Sequence, residues 1–120
     1  MYYDNTNYEF NENIHRLEEF YRLTDDWDGY GSKAPDAILI GWLREVLPRL
    51  LRQPDIFPLP DGEIQLEYFI PNHKHLNIEI HADMTMSIFE MFDKNNATTD
   101  DYTLDYNIIN ERIKEFYGDY

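Results

Sequence analysis

The residues best suited to chemistry lie together in one predicted strand. His75, Glu79 and His81 fall on alternating positions of the segment 75–81, with apolar residues between them. Alternate side chains of a strand share a face, so two imidazoles and a carboxylate would lie on one side. Both groups are metal ligands, and a small metal-dependent hydrolase that uses this face is one interpretation. Neighbours on such a face stand roughly 6–7 Å apart. A solvated sheet face is therefore the favoured interpretation, and we expect no metal and no cofactor.

The rest of the chain offers no nucleophile that the sequence itself places beside a base. There is no cysteine, and Ser32 and Ser87 are the only serines. Neither serine lies in a G-x-S-x-G elbow. The segment Gly29-Tyr30-Gly31 lacks the preceding strand and the downstream lysine of a phosphate-binding loop. We therefore predict a non-enzymatic protein with no catalytic residues.

The charge of the chain restricts its possible partners. The sequence holds 24 acidic and 10 basic residues, a net charge of −14. Such a field repels phosphate backbones and anionic lipids, so we expect no direct nucleic-acid or membrane binding. It attracts basic surfaces, and a basic, nucleic-acid-binding protein is the predicted partner. The alternative is that the charge only confers solubility.

Two clusters combine acidic residues with tyrosines, which supply contact area that carboxylates lack. The predicted partner-binding residues are Asp25, Asp26, Asp28 and Tyr30 in a loop, and Asp100, Asp101, Tyr102, Asp105 and Tyr106 near the last helix. The loop has an alternative, structural interpretation as a helix–helix turn in which Trp27 and Tyr30 close the end of the core. Either Gly29 or Gly31 is expected to need a positive φ there.

The elements that must position these residues form an α+β fold: two N-terminal helices, a three- to four-stranded antiparallel β-meander and a C-terminal helix. Period-2 alternation between Gly62 and Phe92 predicts three antiparallel strands. The proline-punctuated segment 54–60 predicts a short fourth strand. Apolar spacing predicts helices over 8–23, from Pro35 to a kink or restart at Pro48, and over 104–117 before Gly118. The segment 93–101 is predicted as a polar loop.

Length predicts a single domain, residues 1–120. The absence of cysteine fits a reducing compartment. No apolar run approaches the roughly 20 residues that span a bilayer, and the first residues lack the features of a secretory signal. We therefore expect a cytoplasmic protein.

Several separated motifs occur in a fixed order between residues 17 and 81. They are Trp27-Asp28-Gly29-Tyr30-Gly31-Ser32, Ala34-Pro35, Pro58-Leu59-Pro60-Asp61-Gly62-Glu63-Ile64-Gln65-Leu66-Glu67-Tyr68 and Leu76-Asn77-Ile78-Glu79-Ile80. This order resembles a loose group of uncharacterised small bacterial and phage proteins with the pattern W-D-G-Y-G, then P-x-P-x-G-x-[IV]-x-L-E-[WY], then L-x-I-E-I. The resemblance implies the α+β fold and a bacterial or phage origin, and no established activity.

Together these features predict an acidic binding protein that inhibits or neutralises a basic, nucleic-acid-handling partner. The preferred form is a phage anti-defence inhibitor of the anti-CRISPR kind. An antitoxin or immunity protein that caps a nuclease toxin is the alternative within the same class. The hydrolase described above and an ordinary domain whose charge only confers solubility are the alternatives from other classes.

Overall fold

Three helices and five strands make up the part of the fold that the structure describes. The structure is a computed structural model that describes residues 5–71 and 74–118, with side chains from residue 8 onward. In chain order the elements are α1 (Asn5–Arg22), α2 (Ala37–Val46), a 3₁₀ turn (Leu47–Arg49), β1 (Asp55–Pro58), β2 (Ile64–Ile70), β3 (Lys74–Ile80), β4 (Thr85–Met91), β5 (Ala97–Thr103) and α3 (Tyr106–Tyr117).

The strands form one antiparallel sheet in the order β1-β2-β3-β4-β5. Short hairpins join neighbouring strands, as antiparallel pairing allows. The register places apolar residues in rows: Ile64 lies opposite Ile80, which lies opposite Met86. All three side chains are fully buried. The alternation read from the sequence therefore marks one face of the sheet as the core face.

All three helices pack on that core face. Leu17 from α1, Leu43 from α2 and Ile109 from α3 belong to the same buried cluster as the apolar strand residues. Burial of large apolar side chains is the main favourable term in folding, at about 25 cal/mol per Å² of apolar surface. The helices thus cover one side of the sheet only.

The ends of the helices follow local sequence signals. The Asp36 carboxylate accepts hydrogen bonds from the backbone N–H groups of Ile38 and Leu39, at 2.8 and 3.2 Å, and caps α2. Pro48 lies in the 3₁₀ turn that follows α2, which confirms the predicted restart. Gly118 ends α3 with a φ of 52°.

The α+β prediction is confirmed, but the sheet has five strands instead of three or four. The short strand predicted between the prolines is β1. The additional strand is β5, and it lies in and beyond the segment 93–101 that was predicted as a polar loop. That prediction was wrong because β5 is polar on both faces and shows no apolar alternation. Within the predicted turn 71–74, Asn72 and His73 lie outside the described residues.

Candidate functional site

The sheet has one face that no described element covers, here called the open face. It carries four carboxylates, from Asp55, Glu67, Glu79 and Asp101, and no lysine or arginine among its described strand positions. Its other members are Phe57, Gln65, Phe69, His75, Asn77, Thr85, Ser87, Phe89, Met91, Ala97, Thr99 and Thr103. The open face is therefore acidic, with aromatic residues spread across it.

Register arranges the polar side chains of the open face in rows. One row runs across four strands, from Gln65 through Glu79 and Ser87 to Asp101 at the sheet edge. Next to it, Asn77 and Phe89 lie opposite each other. A shallow hollow of 250 Å³ lies among these two rows. Its carboxylates, with no lysine or arginine at the described strand positions of the face, give this surface a negative potential.

A line of hydrogen bonds crosses the same face where β3 ends. His81 Nδ1 lies 2.7 Å from Glu63 Oε1, and His81 Nε2 lies 2.9 Å from Ser87 Oγ. The Ser87 hydroxyl donates to Asp101 Oδ1 at 2.6 Å. Because that bond uses the only hydroxyl proton, both His81 nitrogens act as donors, which is the imidazolium form. The line connects the residue before β2 with β5.

The environment of His81 agrees with the charged form. Burial lowers the pKa of the imidazole, but the hydrogen bond and the charge of Glu63 outweigh this effect, so its pKa is raised above 6.5. The carboxylates of Glu79 and Asp83 act in the same direction. Opposite charge nearby favours the protonated imidazole.

The side chains of Glu63, His81 and Ser87 are arranged like a serine nucleophile with its base, but the serine hydroxyl donates its proton away from the imidazole. A nucleophilic serine donates its proton to the imidazole, whereas Ser87 donates to Asp101. The β3–β4 ladder pairs Ser87 with Glu79, so the backbone N–H of Ser87 is not free to stabilise an oxyanion. The line therefore cross-links strands. Sequence reasoning missed it, because only the strand register brings Glu63 and Ser87 to His81.

The predicted metal-binding face does not form one site. The His75 ring contacts the Phe69 ring at 5.0 Å, and His81 pairs with Glu63. Six residues of strand separate the two histidines by roughly 20 Å. Within the part of the chain that the structure describes, no group of three His, Asp or Glu side chains could hold a metal ion. His75, Glu79 and His81 therefore do not form the common ligand set that the hydrolase interpretation requires.

The first predicted binding cluster is a loop whose carboxylates bond to the loop itself. Asp25 Oδ1 accepts from the Ala34 N–H at 2.9 Å, and Asp26 Oδ1 accepts from the Gly31 N–H at 2.7 Å. Asp28 accepts from two backbone N–H groups and from the Ser32 hydroxyl. The Ser32 hydroxyl is the main cause that lowers the pKa of Asp28. These three side chains stabilise the turn.

The loop is fastened to the hairpin between β1 and β2. Trp27 is half-buried, and its indole N–H donates to the Lys33 carbonyl at 2.9 Å. Lys33 in turn donates its backbone N–H to Pro60. Gly29 and Gly31 have φ values of 78° and 82°, as the turn interpretation predicts. Tyr30 is 92% exposed, so the prediction that it closes the core is wrong.

The second predicted cluster is divided between a structural network and the open face. Arg112 of α3 lies 3.5 Å from Glu90 and 3.3 Å from both Asp100 and the Tyr102 hydroxyl. Burial raises the pKa of Glu90. Burial opposes the charge of Arg112, but Asp100 and Glu90 outweigh it and raise the pKa of Arg112. This network ties α3 to β4 and β5, and only Asp101 remains on the open face.

The last two residues of this cluster, Asp105 and Tyr106, lie at the start of α3. The Asp105 carboxylate accepts from the Asn107 N–H at 2.8 Å and caps the helix. The Arg49 guanidinium lies 5.7 Å from the centre of the Tyr106 ring. The loop cluster adjoins β1 and β2, whereas this cluster adjoins β5, so roughly 15–20 Å of sheet separates them. The structure does not bring the two clusters into one surface.

A cleft continues the acidic surface beyond the short strand β1. Its volume is 340 Å³, and it lies between α1 and the last residues of β2. Four acidic side chains and one arginine line it together with aromatic rings: Glu9, Glu12, Asp55, Glu67 and Arg16, with Tyr8, Phe69 and Tyr117. Arg16 lies 3.8 Å from Asp55. A cleft of acids and aromatic rings suits a cationic side chain.

A comparison with known protein families, characterised proteins and solved structures finds no match for this chain. Among the helices of the described residues, none is long and apolar enough to cross a membrane.

Proposed function

We propose that the protein binds a basic protein partner through the open face and blocks the surface with which that partner handles nucleic acid. One observation carries the proposal. The open face combines four carboxylates with three phenylalanines and has no lysine or arginine at its described strand positions. A surface evolved only for solubility would mix both signs of charge and keep aromatic rings covered.

The two kinds of side chain have different tasks in such a complex. Carboxylates speed the encounter with a basic surface and fix its orientation. Aromatic side chains supply the buried area that gives affinity, since hot spots favour aromatic residues over acidic ones. Phe69 is 57% exposed and lies beside Glu67, so both kinds of contact are available at one place.

The cleft next to β1 supports the same class of partner. Glu12 and Glu67 face it from α1 and β2, and the Phe69 ring, which is 57% exposed, adds an aromatic wall. A lysine or arginine side chain that protrudes from the partner would gain both charge attraction and ring contact there. Nucleic acid and anionic lipid are poor ligands for this surface, because their phosphates repel it.

The biological form that fits best is a cytoplasmic inhibitor of a nuclease or another nucleic-acid-binding protein. A phage anti-defence protein of the anti-CRISPR kind is the first candidate, and an antitoxin or immunity protein for a nuclease toxin is the second. Both would place an acidic surface on the partner's nucleic-acid site.

The experiment compares two charge-reversal variants that are matched in net charge. Glu67→Lys with Glu79→Lys changes the open face, and Glu18→Lys with Glu19→Lys changes exposed positions of α1. Each pair shifts the net charge from −14 to −10, since two charges of −1 become +1. The wild-type and both variants are immobilised, and bacterial proteins that they retain are identified by mass spectrometry.

The expected result is a basic protein retained by the wild type and by the α1 variant, but lost with the open-face variant. Purified partner should then lose its nucleic-acid binding when the wild-type protein is added, and circular dichroism should show that both variants fold. Equal retention by the two variants would contradict the proposal. So would an acidic partner, or tight binding of bare DNA or RNA by the protein itself.

A further inference from the structure

The strand β5 forms a free edge of the sheet. It pairs with β4 over its whole length, from Met91 opposite Ala97 to Thr85 opposite Thr103, without a bulge. No described strand pairs with its other side. The strand has no proline and no lysine, and all of its residues except the half-buried Tyr102 are exposed. Proteins usually protect such an edge with proline, with charged residues, with a bulge or with a covering element, and of these β5 has only its two aspartates.

The hydrogen-bond pattern shows which backbone groups of β5 point outward. Phe92 donates its N–H to Asn96, and Leu104 donates its N–H to Met84, so both are hydrogen-bonded pairs of the hairpin. Hydrogen-bonded and non-hydrogen-bonded pairs alternate along an antiparallel ladder. The residues of β5 that bond to β4 are therefore Thr98, Asp100 and Tyr102. The residues whose N–H and C=O groups face outward are Ala97, Thr99, Asp101 and Thr103.

The outward backbone groups and the open face meet at the same residues. Side chains alternate along a strand, and Thr99 and Asp101 belong to the open face. A chain that paired with β5 would therefore bond to their backbone and extend the open face by one strand. Asp101 also ends the row that contains Glu79, so the new strand would lie next to a row that holds two carboxylates.

We infer that β5 binds an extended, basic segment of the partner, which adds a sixth antiparallel or parallel strand to the sheet. Main-chain hydrogen bonds provide affinity in this mode of recognition, and alternate side chains provide specificity. A lysine or arginine opposite Asp101 would complement its charge, since directly opposite side chains of a strand pair interact. The inference rests on the proposed function and names the part of the partner that is bound.

A second copy of this chain fits the edge less well. Pairing of β5 with β5 would bring Asp100 and Asp101 of both chains alongside each other. Like charges on neighbouring strands are destabilising. Asp100 has a partner in Arg112, whereas among the described residues the Asp101 carboxylate bonds only to the Ser87 hydroxyl. The aspartates therefore discourage self-pairing and select a basic segment.

The test uses a synthetic peptide as long as β5, with alternating lysine and threonine and with blocked ends. Amide exchange and chemical shifts of the isotope-labelled protein are followed by NMR as the peptide is added. In the free protein the amides of Thr98, Asp100 and Tyr102 should exchange slowly, and those of Thr99, Asp101 and Thr103 rapidly. The peptide should slow the exchange of the Thr99, Asp101 and Thr103 amides by about tenfold or more. Slow and fast amides should then no longer alternate along β5.

Two variants of Thr99 separate the contribution of its backbone N–H to binding from that of its side chain. Thr99→Pro removes an outward N–H without removing a bond to β4, and it should weaken peptide binding at least about tenfold. Thr99→Val keeps the N–H and a β-branched side chain, and it should bind within about threefold of the wild type. A peptide with glutamate in place of lysine should not bind. If Thr99→Pro fails to fold, protection of the outward amides in the wild-type protein still tests whether the peptide pairs with β5.

The outcomes distinguish this inference from the proposed function. Shifts at Glu67, Phe69 and Glu79 without protection of the outward amides would overturn the edge site and leave open-face binding in place. No shift anywhere would overturn both. Protection that grows with protein concentration in the absence of peptide would assign the edge to a second copy. If the glutamate peptide bound as tightly as the lysine peptide, charge would have no role in recognition at β5.

Discussion

At the scale of single residues, Gly62 lies where the loop after α1 packs on the β1–β2 hairpin, and its carbonyl accepts a hydrogen bond from the Asp36 N–H at 2.8 Å. Its φ is +88°, and a Cβ at this position would lie 3.0 Å from the Ala34 carbonyl oxygen. Gly62→Ala should therefore destabilise the fold by about 2 kcal/mol, because both the backbone conformation and the contact become strained. Urea unfolding measures the change.

The matched control is Gly41→Ala. Gly41 is an exposed residue of α2, and a Cβ there would meet nothing within 4 Å. The same substitution should stabilise the protein by about 0.5–1 kcal/mol, since alanine favours the helix. If both substitutions changed the stability equally, an added side chain at Gly62 would not strain its contact with Ala34.

His81 makes the stability of the fold depend on pH. Its pKa is raised above 6.5 in the folded protein, because the bond to Glu63 and its charge outweigh the opposing effect of burial. A raised pKa gives a stability contribution that is complete below the unfolded value of about 6.5. That contribution is lost as the pH rises through the folded value. Unfolding by urea should thus become easier as the pH rises from about 6 to about 8.5, by on the order of 1 kcal/mol.

The His81→Gln variant should remove most of this slope, because glutamine does not change its charge. His75→Gln is the control, since His75 contacts the Phe69 ring and has no carboxylate partner in the described contacts. An NMR titration of the His81 imidazole gives an independent check. A His81 pKa below the ordinary histidine value of about 6.5 would contradict the assigned line of hydrogen bonds.

Residue types in the sequence predicted part of this chemistry. Two glycines around Tyr30 predicted positive φ, and the structure has it at both. His81 was predicted on a polar strand face, but its partners Glu63 and Ser87 were not. They lie 18 and 6 residues away in the chain, and only the lengths of the hairpins bring them together. Local patterns do not contain that information.

At the scale of elements, α3 is held on the sheet by the network around Arg112. Its side chain is 14% exposed, and that of Glu90 is 8% exposed. Arg112→Met should cost about 3 kcal/mol, because it leaves a carboxylate largely buried without its partner. Thermal and urea unfolding give the value.

A double variant separates loss of the ion pair from loss of packing. Arg112→Met with Glu90→Leu leaves no buried charge, and it should regain most of the stability that Arg112→Met loses. Asp100→Asn should have a smaller effect than either, because its carboxylate is 49% exposed. If the double variant is as unstable as the single one, packing of the arginine stem explains the loss.

The same network explains why β5 was not predicted. Strands β2 to β4 alternate because their core-face residues touch helices through apolar contacts. The core-face residues of β5 are Thr98, Asp100 and Tyr102, and the charged Arg112 contacts two of them. A strand that meets a charged side chain instead of an apolar one carries no period-2 signal. Its threonines and Tyr102 were its only residues with a preference for strands.

At the scale of the whole molecule, the helices cover the core face of the sheet, and the open face carries the proposed recognition surface. Apolar periodicity predicted which side of β2, β3 and β4 lies in the core, and hence which side of these strands is left open. It did not predict that the described strand positions of the open face would lack lysine and arginine, because these residues are scattered through the chain. Arg112, for example, lies on the helix side, and Arg16 reaches only the rim at Asp55.

This charge distribution makes the rate of association the most sensitive observable once the partner is purified. Opposite fields accelerate encounter, and salt screens them within a distance that falls below about 5 Å at about 0.5 M. The association rate should fall at least about tenfold between about 0.05 and 0.5 M salt. Dissociation should change less, because it depends on the close contacts of residues such as Phe69. Stopped-flow fluorescence or surface plasmon resonance measures both rates.

Neutral substitutions then locate the charges responsible. Glu67→Gln with Glu79→Gln should slow association several-fold and reduce its salt dependence, while dissociation changes little. Glu18→Gln with Glu19→Gln removes the same net charge from α1 and should have the smaller effect, since α1 presents these residues away from the open face. Equal slowing by both pairs would mean that net charge alone steers the partner. A complex indifferent to salt and to both pairs would mean that the acidity of the chain has no role in binding.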